Sequence, residues 1–238
     1  MPTPRSTAFR IELPALAALG VGSVIAALVP FDLAFAFMTR GSAVLRALAL
    51  PVIGLAGLAA AGRVGLRFRS KNLTHPVAAP VLAAALVALG VSIVDGYLCR
   101  GLLSESYVQL LTTVGLGTRL LYFMLRAFNE NIIYRLFAMS SLVWIVGLFW
   151  HDANQRPATG AFWAGIVLAQ VINISINVVA TSIGPITPSM LCYDAIRYIV
   201  PGVLWGYLYW RHGFVTAEIA SVGTHPFLQP LLAYLLTR

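Results

Sequence analysis

Charge is scarce in this chain. Only 10% of its 238 residues are Asp, Glu, Lys or Arg, where a soluble globular domain carries about 25%. Lysine is nearly absent, with Lys71 alone beside fifteen arginines, and there are eight acids. Cys99 and Cys192 have no metal-ligand spacing, and a disulfide between such distant positions cannot be argued from sequence. His75, His151, His212 and His225 share no ligand spacing, and no H-E-x-x-H occurs. A zinc site is therefore not expected, nor any other metal or cofactor. G-x-S-x-G is also missing, which removes the main support for a serine nucleophile. Nowhere is the chain polar for long enough to form a soluble domain.

Apolar residues fill that space. They make up 59% of the chain, with a mean hydropathy of +0.85. Only helices and closed barrels satisfy their backbone in lipid, and the runs here lack the period of two that barrel strands require. The expected fold is all-α, a polytopic membrane bundle of about eight transmembrane helices. Spans are predicted at 13–29, 44–61, 77–94, 107–128, 132–150, 162–183, 193–210 and 214–236. The first continues past Pro30 and Asp32 to Phe37, so Ala34-Phe35-Ala36 is read as part of an uncleaved span rather than a signal-peptide site. The whole of 1–238 reads as one transmembrane domain, with amino-terminal helices over 1–126 and a core over 127–238.

The net charge of +8 lies largely between the apolar runs, which points to membrane topology and anionic headgroups, not nucleic acid. Arg63, Arg67, Arg69 and Lys71 form the most basic loop, expected in the cytoplasm together with Arg5 and Arg10. Eight spans would bring Arg238 back to that side, placing both termini in the cytoplasm.

The polar residues inside the spans need an explanation. A charge at bilayer depth costs about 2.5–3.5 kcal/mol even on the gentler insertion scale, so it is kept for pairing or for function. The stretch Asn129-Glu130-Asn131-Ile132-Ile133-Tyr134-Arg135 carries two such charges. Tyr134, four residues on, shares the face of Glu130, whereas Arg135 is five on, about 140° round an ideal helix. Glu130 is thus expected to lack compensation on its own helix and to find partners on other spans, with Asn173 and His225 the candidates. Arg119 and Arg126 suggest an interface or a wet cavity for the second half of the fourth span. Gln170, Asn173 and Asn177 form one helical face, with Gln170 and Asn177 read as interhelical hydrogen-bonding groups. Glu218, Ser221 and His225 form another. Glu218, two turns past Trp210-Arg211-His212, is read as an acid reaching for the headgroups.

At these residues the sequence resembles the CPBP family, the CAAX-processing and bacteriocin-processing glutamic intramembrane proteases. Glu130-Asn131-Ile132-Ile133-Tyr134-Arg135 is similar to a family block of two glutamates, three residues and an arginine. Ala169-Gln170-Val171-Ile172-Asn173 stands where the family has Phe, three residues and His. Gly206-Tyr207-Leu208-Tyr209-Trp210-Arg211-His212-Gly213-Phe214, leading to Ser221 and His225, stands where it has a Gly-x-Leu-Tyr-x-Arg-x-Gly lead-in and then His, three residues, and Asn or Asp. Here the second glutamate is Asn131, the first histidine is Asn173, and the last pair reads Ser221 and His225. The resemblance implies a bacterial cytoplasmic-membrane endopeptidase acting on a membrane-associated peptide or protein. Glu130 would activate a water, while His225 and Asn173 orient it or stabilise the oxyanion, supported by Arg135, Asn131, Tyr134 and Ser221. Competing expectations are a non-catalytic protein of the same fold that binds partner helices, and a small-solute transporter. No internal repeat favours the transporter.

Overall fold

The described residues form helices and turns, with no β-strand among them. They comprise 12–29, 42–69, 77–181 and 187–238 of a computed structural model, with backbone alone described at 177–181. Arg5, Arg10, the continuation of the first span beyond Pro30, Lys71, His75, Gly184-Pro185 and the Asn177 side chain lie outside them.

In chain order the helices are α1 (Leu13–Leu28), α2 (Ala43–Val64), α3 (Ala78–Ile93), α4 (Glu105–Thr113), α5 (Leu116–Asn131), α6 (Ser140–Gly147), α7 (Thr159–Thr181), α8 (Pro188–Asp194), α9 (Val200–His212) and α10 (Phe214–Leu236). Three π-helical segments continue the rods without a break. Val94–Leu98 extends α3, Ile132–Met139 joins α5 to α6, and Ala195–Ile199 joins α8 to α9. Counted through these joints, the described residues hold eight helices. Three are long and apolar enough to cross a membrane: Ala43–Val64, Ala78–Leu98 and Thr159–Ile176.

The partition differs from the expected spans. The polar triplet Asn129-Glu130-Asn131 reads as a boundary, yet 116–147 is one rod and the break falls earlier, at Val114-Gly115. The start of the expected fourth span is the short α4, whose end is capped by the buried Arg119 donating Nη1–H to Leu111 O. Ser42, Ser104 and Thr187 cap α2, α4 and α8 by accepting from backbone N–H groups three residues on. Gly65 (φ 76°) closes α2, and Gly213 (φ 90°) makes the sharp joint between α9 and α10. α10 runs unbroken through Pro226 and Pro230.

Packing fixes which helix ends lie together. Ser23 Oγ donates to Ala47 O at 2.6 Å and Arg46 Nε to Ala26 O at 2.9 Å, so α1 and α2 are antiparallel. The Arg63 guanidinium lies 4.5 Å from the centre of the Trp144 ring, which brings the end of α6 beside the end of α2. At this same end the first-turn N–H groups of Phe214 and Val215, which no helix can satisfy internally, donate to Arg67 O and Phe68 O at 3.0 Å each. α3 and α10 run parallel, Gly223 against Ala84 and Gly96 against Leu235. Arg100 Nη2 then donates to Leu236 O at 2.9 Å. The end of α10 therefore lies at the opposite end of the bundle from Arg63 and Arg67.

The core gathers α2, Ile132–Met139, α7, α9 and the start of α10 around Leu136, Met139, Ile166, Tyr209 and Phe214. Leu48 and Val52 of α2 and Leu82, Leu86 and Leu89 of α3 point outward and are exposed. Rows of outward leucine and valine are what a bilayer solvates and water does not.

Candidate functional site

The rod 116–147 crosses the middle of the bundle and carries the acid singled out from the sequence. Glu130 sits in the last turn of α5, and Arg126, one turn earlier, donates Nε–H to its Oε1 at 2.7 Å. The expectation that Glu130 lacks a partner on its own helix is thus corrected. A helix beginning at residue 132 would have left Arg126 on another element, whereas the unbroken rod sets it at i−4 on the same face. The pair is partly buried, its side chains 15% and 23% exposed.

His225 reaches this pair from α10. Its ring stacks on Phe123 with centroids 5.6 Å apart, and Glu130 and Arg126 are its charged neighbours. The His225 Nδ1 is buried and bonds to nothing in the protein. Tyr134, 1% exposed, stands one turn beyond Glu130 as its electrostatic neighbour. Ser221 is half-buried one turn before His225. Asn173 is buried at 6% exposure on α7, a helix that packs mainly on Ile132–Met139, α6 and α9. Glu130, Tyr134 and His225 are thus electrostatic neighbours, and Asn173 lies on a helix that packs against the segment carrying Tyr134.

Glu218 is not a headgroup-level acid. Both its carboxylate oxygens are buried without a well-formed hydrogen bond, Asn131 at the edge of bonding reach and Arg135 beside them. Counting turns from Trp210 missed this because α10 begins at Gly213 with its first turn docked under the residues after α2. The following turn is thereby carried into the bundle. Arg135, 5% exposed, stands between two acids, Glu130 and Glu218. The i→i+5 bonding of Ile132–Met139 widens the turn. Residues five apart thus come closer to one face than the α-helical angle allows, and Glu130 acts on Arg135 after all.

A further charged group was not legible in the sequence. Asp95, which the span pattern leaves near a helix end, is 0% exposed in the π turn after α3. Arg197, in the π turn after α8, approaches it at 3.3 Å, and Tyr193 Oη donates to its other oxygen at 2.9 Å. The Arg197 guanidinium lies over Tyr107, Tyr198 and Tyr193 at 4.6, 5.4 and 5.6 Å. Tyr198 is also an electrostatic neighbour of Arg126. Charged groups thus run in a row from Asp95 and Arg197, past Tyr198, to Arg126 and Glu130 and on to Arg135 and Glu218, deeply buried at both ends and partly exposed at the middle pair. Charges at this depth are stable only when so paired.

Gln170 on the α7 stripe packs closely against α9, but its Oε1 is buried without a hydrogen bond, so the expected interhelical bond is not seen there. It is 2% exposed and lies so close to Gly202 of α9 that a Cβ there would strike its side-chain amide. His151 and Asp152 are exposed in the loop after α6, and His212 is exposed at the end of α9. Among the described residues no group of three or more His, Cys, Asp or Glu is placed to hold a metal ion.

Set against known protein families, curated proteins and solved structures, the chain matches none.

Proposed function

We propose that the chain is an integral protein of the bacterial cytoplasmic membrane, a glutamic-type intramembrane peptidase that cleaves a peptide bond of a membrane-associated peptide or protein. The observation that carries this reading is the meeting of Glu130 and His225 from α5 and α10 inside the bundle, with the buried Nδ1 of His225 unpaired. Arg126 occupies Glu130 Oε1, which leaves Oε2 to accept a proton from water. The water oxygen bonds to the scissile carbonyl carbon, and its proton passes to Glu130. His225 donates to the oxyanion, and as the C–N bond breaks the proton moves to the leaving nitrogen. The resemblance to the CPBP blocks agrees with these roles for Glu130 and Arg135, while Asn173, Asn131, Tyr134 and Ser221 are assigned to shaping the site.

Peptide termini generated in membranes of cells expressing the chain test this reading. New termini are expected with the natural chain. They are expected to vanish with Glu130→Gln and to fall with His225→Ala, each variant keeping its melting temperature in detergent. The second reading, a non-catalytic protein binding partner helices, is favoured by the Arg126–Glu130 pair itself, since an ion pair already accounts for a charged side chain inside the bundle. It predicts identical termini from the natural chain and Glu130→Gln.

For topology we propose that Arg63, Arg67 and Arg69, with the start of α1, face the cytoplasm. The end of α10 then faces the other side. This arrangement differs from the expectation of two cytoplasmic termini in that two expected spans merge into one rod, which changes the parity of the crossings.

A further inference from the structure

A buried polar side-chain atom with no bond is costly, and in a native fold each one implies a partner that satisfies it. Such atoms concentrate at one place in this bundle. Both amide atoms of Asn131, Nε of Arg135 and both carboxylate oxygens of Glu218 are buried and make no well-formed hydrogen bond within the protein, Asn131 and Glu218 lying at the edge of bonding reach. Asn131 is 0% and Arg135 5% exposed, and Glu218 faces them from α10. Buried polar groups whose direct bonds are poorly formed are characteristically completed by water, which needs two to four polar partners. The set offers Nδ2–H and Nε–H as donors and Oδ1, Oε1 and Oε2 as acceptors, the complement of a molecule that both gives and takes two bonds. A cation is opposed by Arg135 and an anion by Glu218, so a small neutral hydrogen-bonding molecule fits.

We propose that Asn131, Arg135 and Glu218 form a buried water site, and that it supplies the water consumed at Glu130, the residue adjoining Asn131. The supply role rests on the peptidase reading; the water site does not.

The test uses the full chain in lipid nanodiscs exposed to X-ray-generated hydroxyl radicals, which mark side chains touching bound water even where bulk solvent does not reach. Tyr134, 1% exposed and an electrostatic neighbour of Arg135, is the reporter. Tyr209, 0% exposed with its hydroxyl bonded to Ser140 at 2.9 Å, is the control. Tyr134 is expected to be marked several-fold faster than Tyr209, and to fall to the control rate in Asn131→Leu/Glu218→Leu, which replaces both polar faces with apolar ones. Equal marking of the two tyrosines in the natural chain, or marking of Tyr134 that persists in the double variant, overturns the site. Should the double variant not fold, Asn131→Ala decides: slower marking supports the site and unchanged marking overturns it. In the cleavage measurement the double variant is expected to lose roughly a hundredfold, the scale of a misplaced reactant. Full cleavage by a variant without the water mark overturns the supply role. Absence of cleavage by the natural chain, with the mark present, would remove the peptidase reading and leave the water site standing.

Discussion

Asp95 has no exposed surface; one oxygen accepts from Tyr193 and the other is ion-paired with Arg197 at 3.3 Å without a well-formed hydrogen bond. Removing one partner of such a pair strands a buried charge, which costs about 3–5 kcal/mol, while replacing both with apolar residues of similar volume is often neutral. Asp95→Asn is therefore expected to lower the thermal unfolding temperature sharply, and Asp95→Leu/Arg197→Met to recover most of the loss, read by melting in detergent. The Arg126–Glu130 pair is of the same chemistry in wetter surroundings, with side chains 15% and 23% exposed. Screening reduces its worth to about 1 kcal/mol or less. Arg126→Gln is expected to leave the melting temperature within a few degrees of the natural chain, and a drop as large as that of Asp95→Asn would show that the pair is as dry as the other.

Among the elements, close helix approaches depend on glycines at particular positions. A Cβ on Gly57 of α2 would sit 2.6 Å from Leu136 O, a backbone atom that cannot step aside, whereas one on Gly20 of α1 meets nothing within 4 Å. Gly57→Ala is expected to destabilise by about 1–3 kcal/mol, the usual cost of overpacking. Gly20→Ala is expected to be neutral or to stabilise by about 0.5–1 kcal/mol, since alanine is the better helix former. Denaturation of the two variants side by side checks both. In the loop between α6 and α7, N–H bonds from Arg156 and Asn154 hold the Asp152 carboxyl below the usual carboxylate range. A lowered native value gives stability that is present at neutral pH and is lost as pH falls through it. Proteolysis at residues 153–156 is therefore expected to quicken under acid in the natural chain, and to be fast at neutral pH in Asp152→Ala.

Most helices were legible because apolar runs of that length have few other fates. Their joints were not, and the reason is local. Asn129, Glu130 and Asn131 carry the polarity of a turn, but each is turned inward, Asn129 and Asn131 with no exposed surface. Asn129 Nδ2 donates to Gly22 O of α1 at 3.0 Å. Polarity facing a neighbouring helix looks, in one dimension, like polarity facing water. Glu130 and His225 could be nominated because each is an ionisable group in an apolar run. The i−4 spacing of Arg126 stands in the sequence but counts only because the rod is unbroken, whereas the positions of Glu218 and Arg197 depend on helix docking and π turns, which leave no period in the sequence.

At the scale of the whole molecule, the two ends of the bundle have different chemistry. Trp144, Trp163, Trp210 and Arg211 cluster at the end that carries Arg63, with Trp163 and Trp210 ring centroids 5.9 Å apart. Such aromatic and basic belts mark an interface. Single cysteines at Asn154 and Thr237, in a background with Cys99 and Cys192 changed to serine, are expected to differ in reach. An impermeant maleimide added to whole cells should label Thr237→Cys and spare Asn154→Cys. Equal labelling of the two would mean that α10 does not cross.

The three π joints carry a consequence of their own. Each spans one peptide more per turn than an α-helix needs, and Asp95, Arg135 and Arg197 all lie within them. Excising a single amino acid between 132 and 139 would let the rod relax to ordinary winding with the helices on either side near their present bearing, while the side chains of the joint itself change the face they present. The buried constellation therefore depends on the length of the joint as well as on the identity of its side chains.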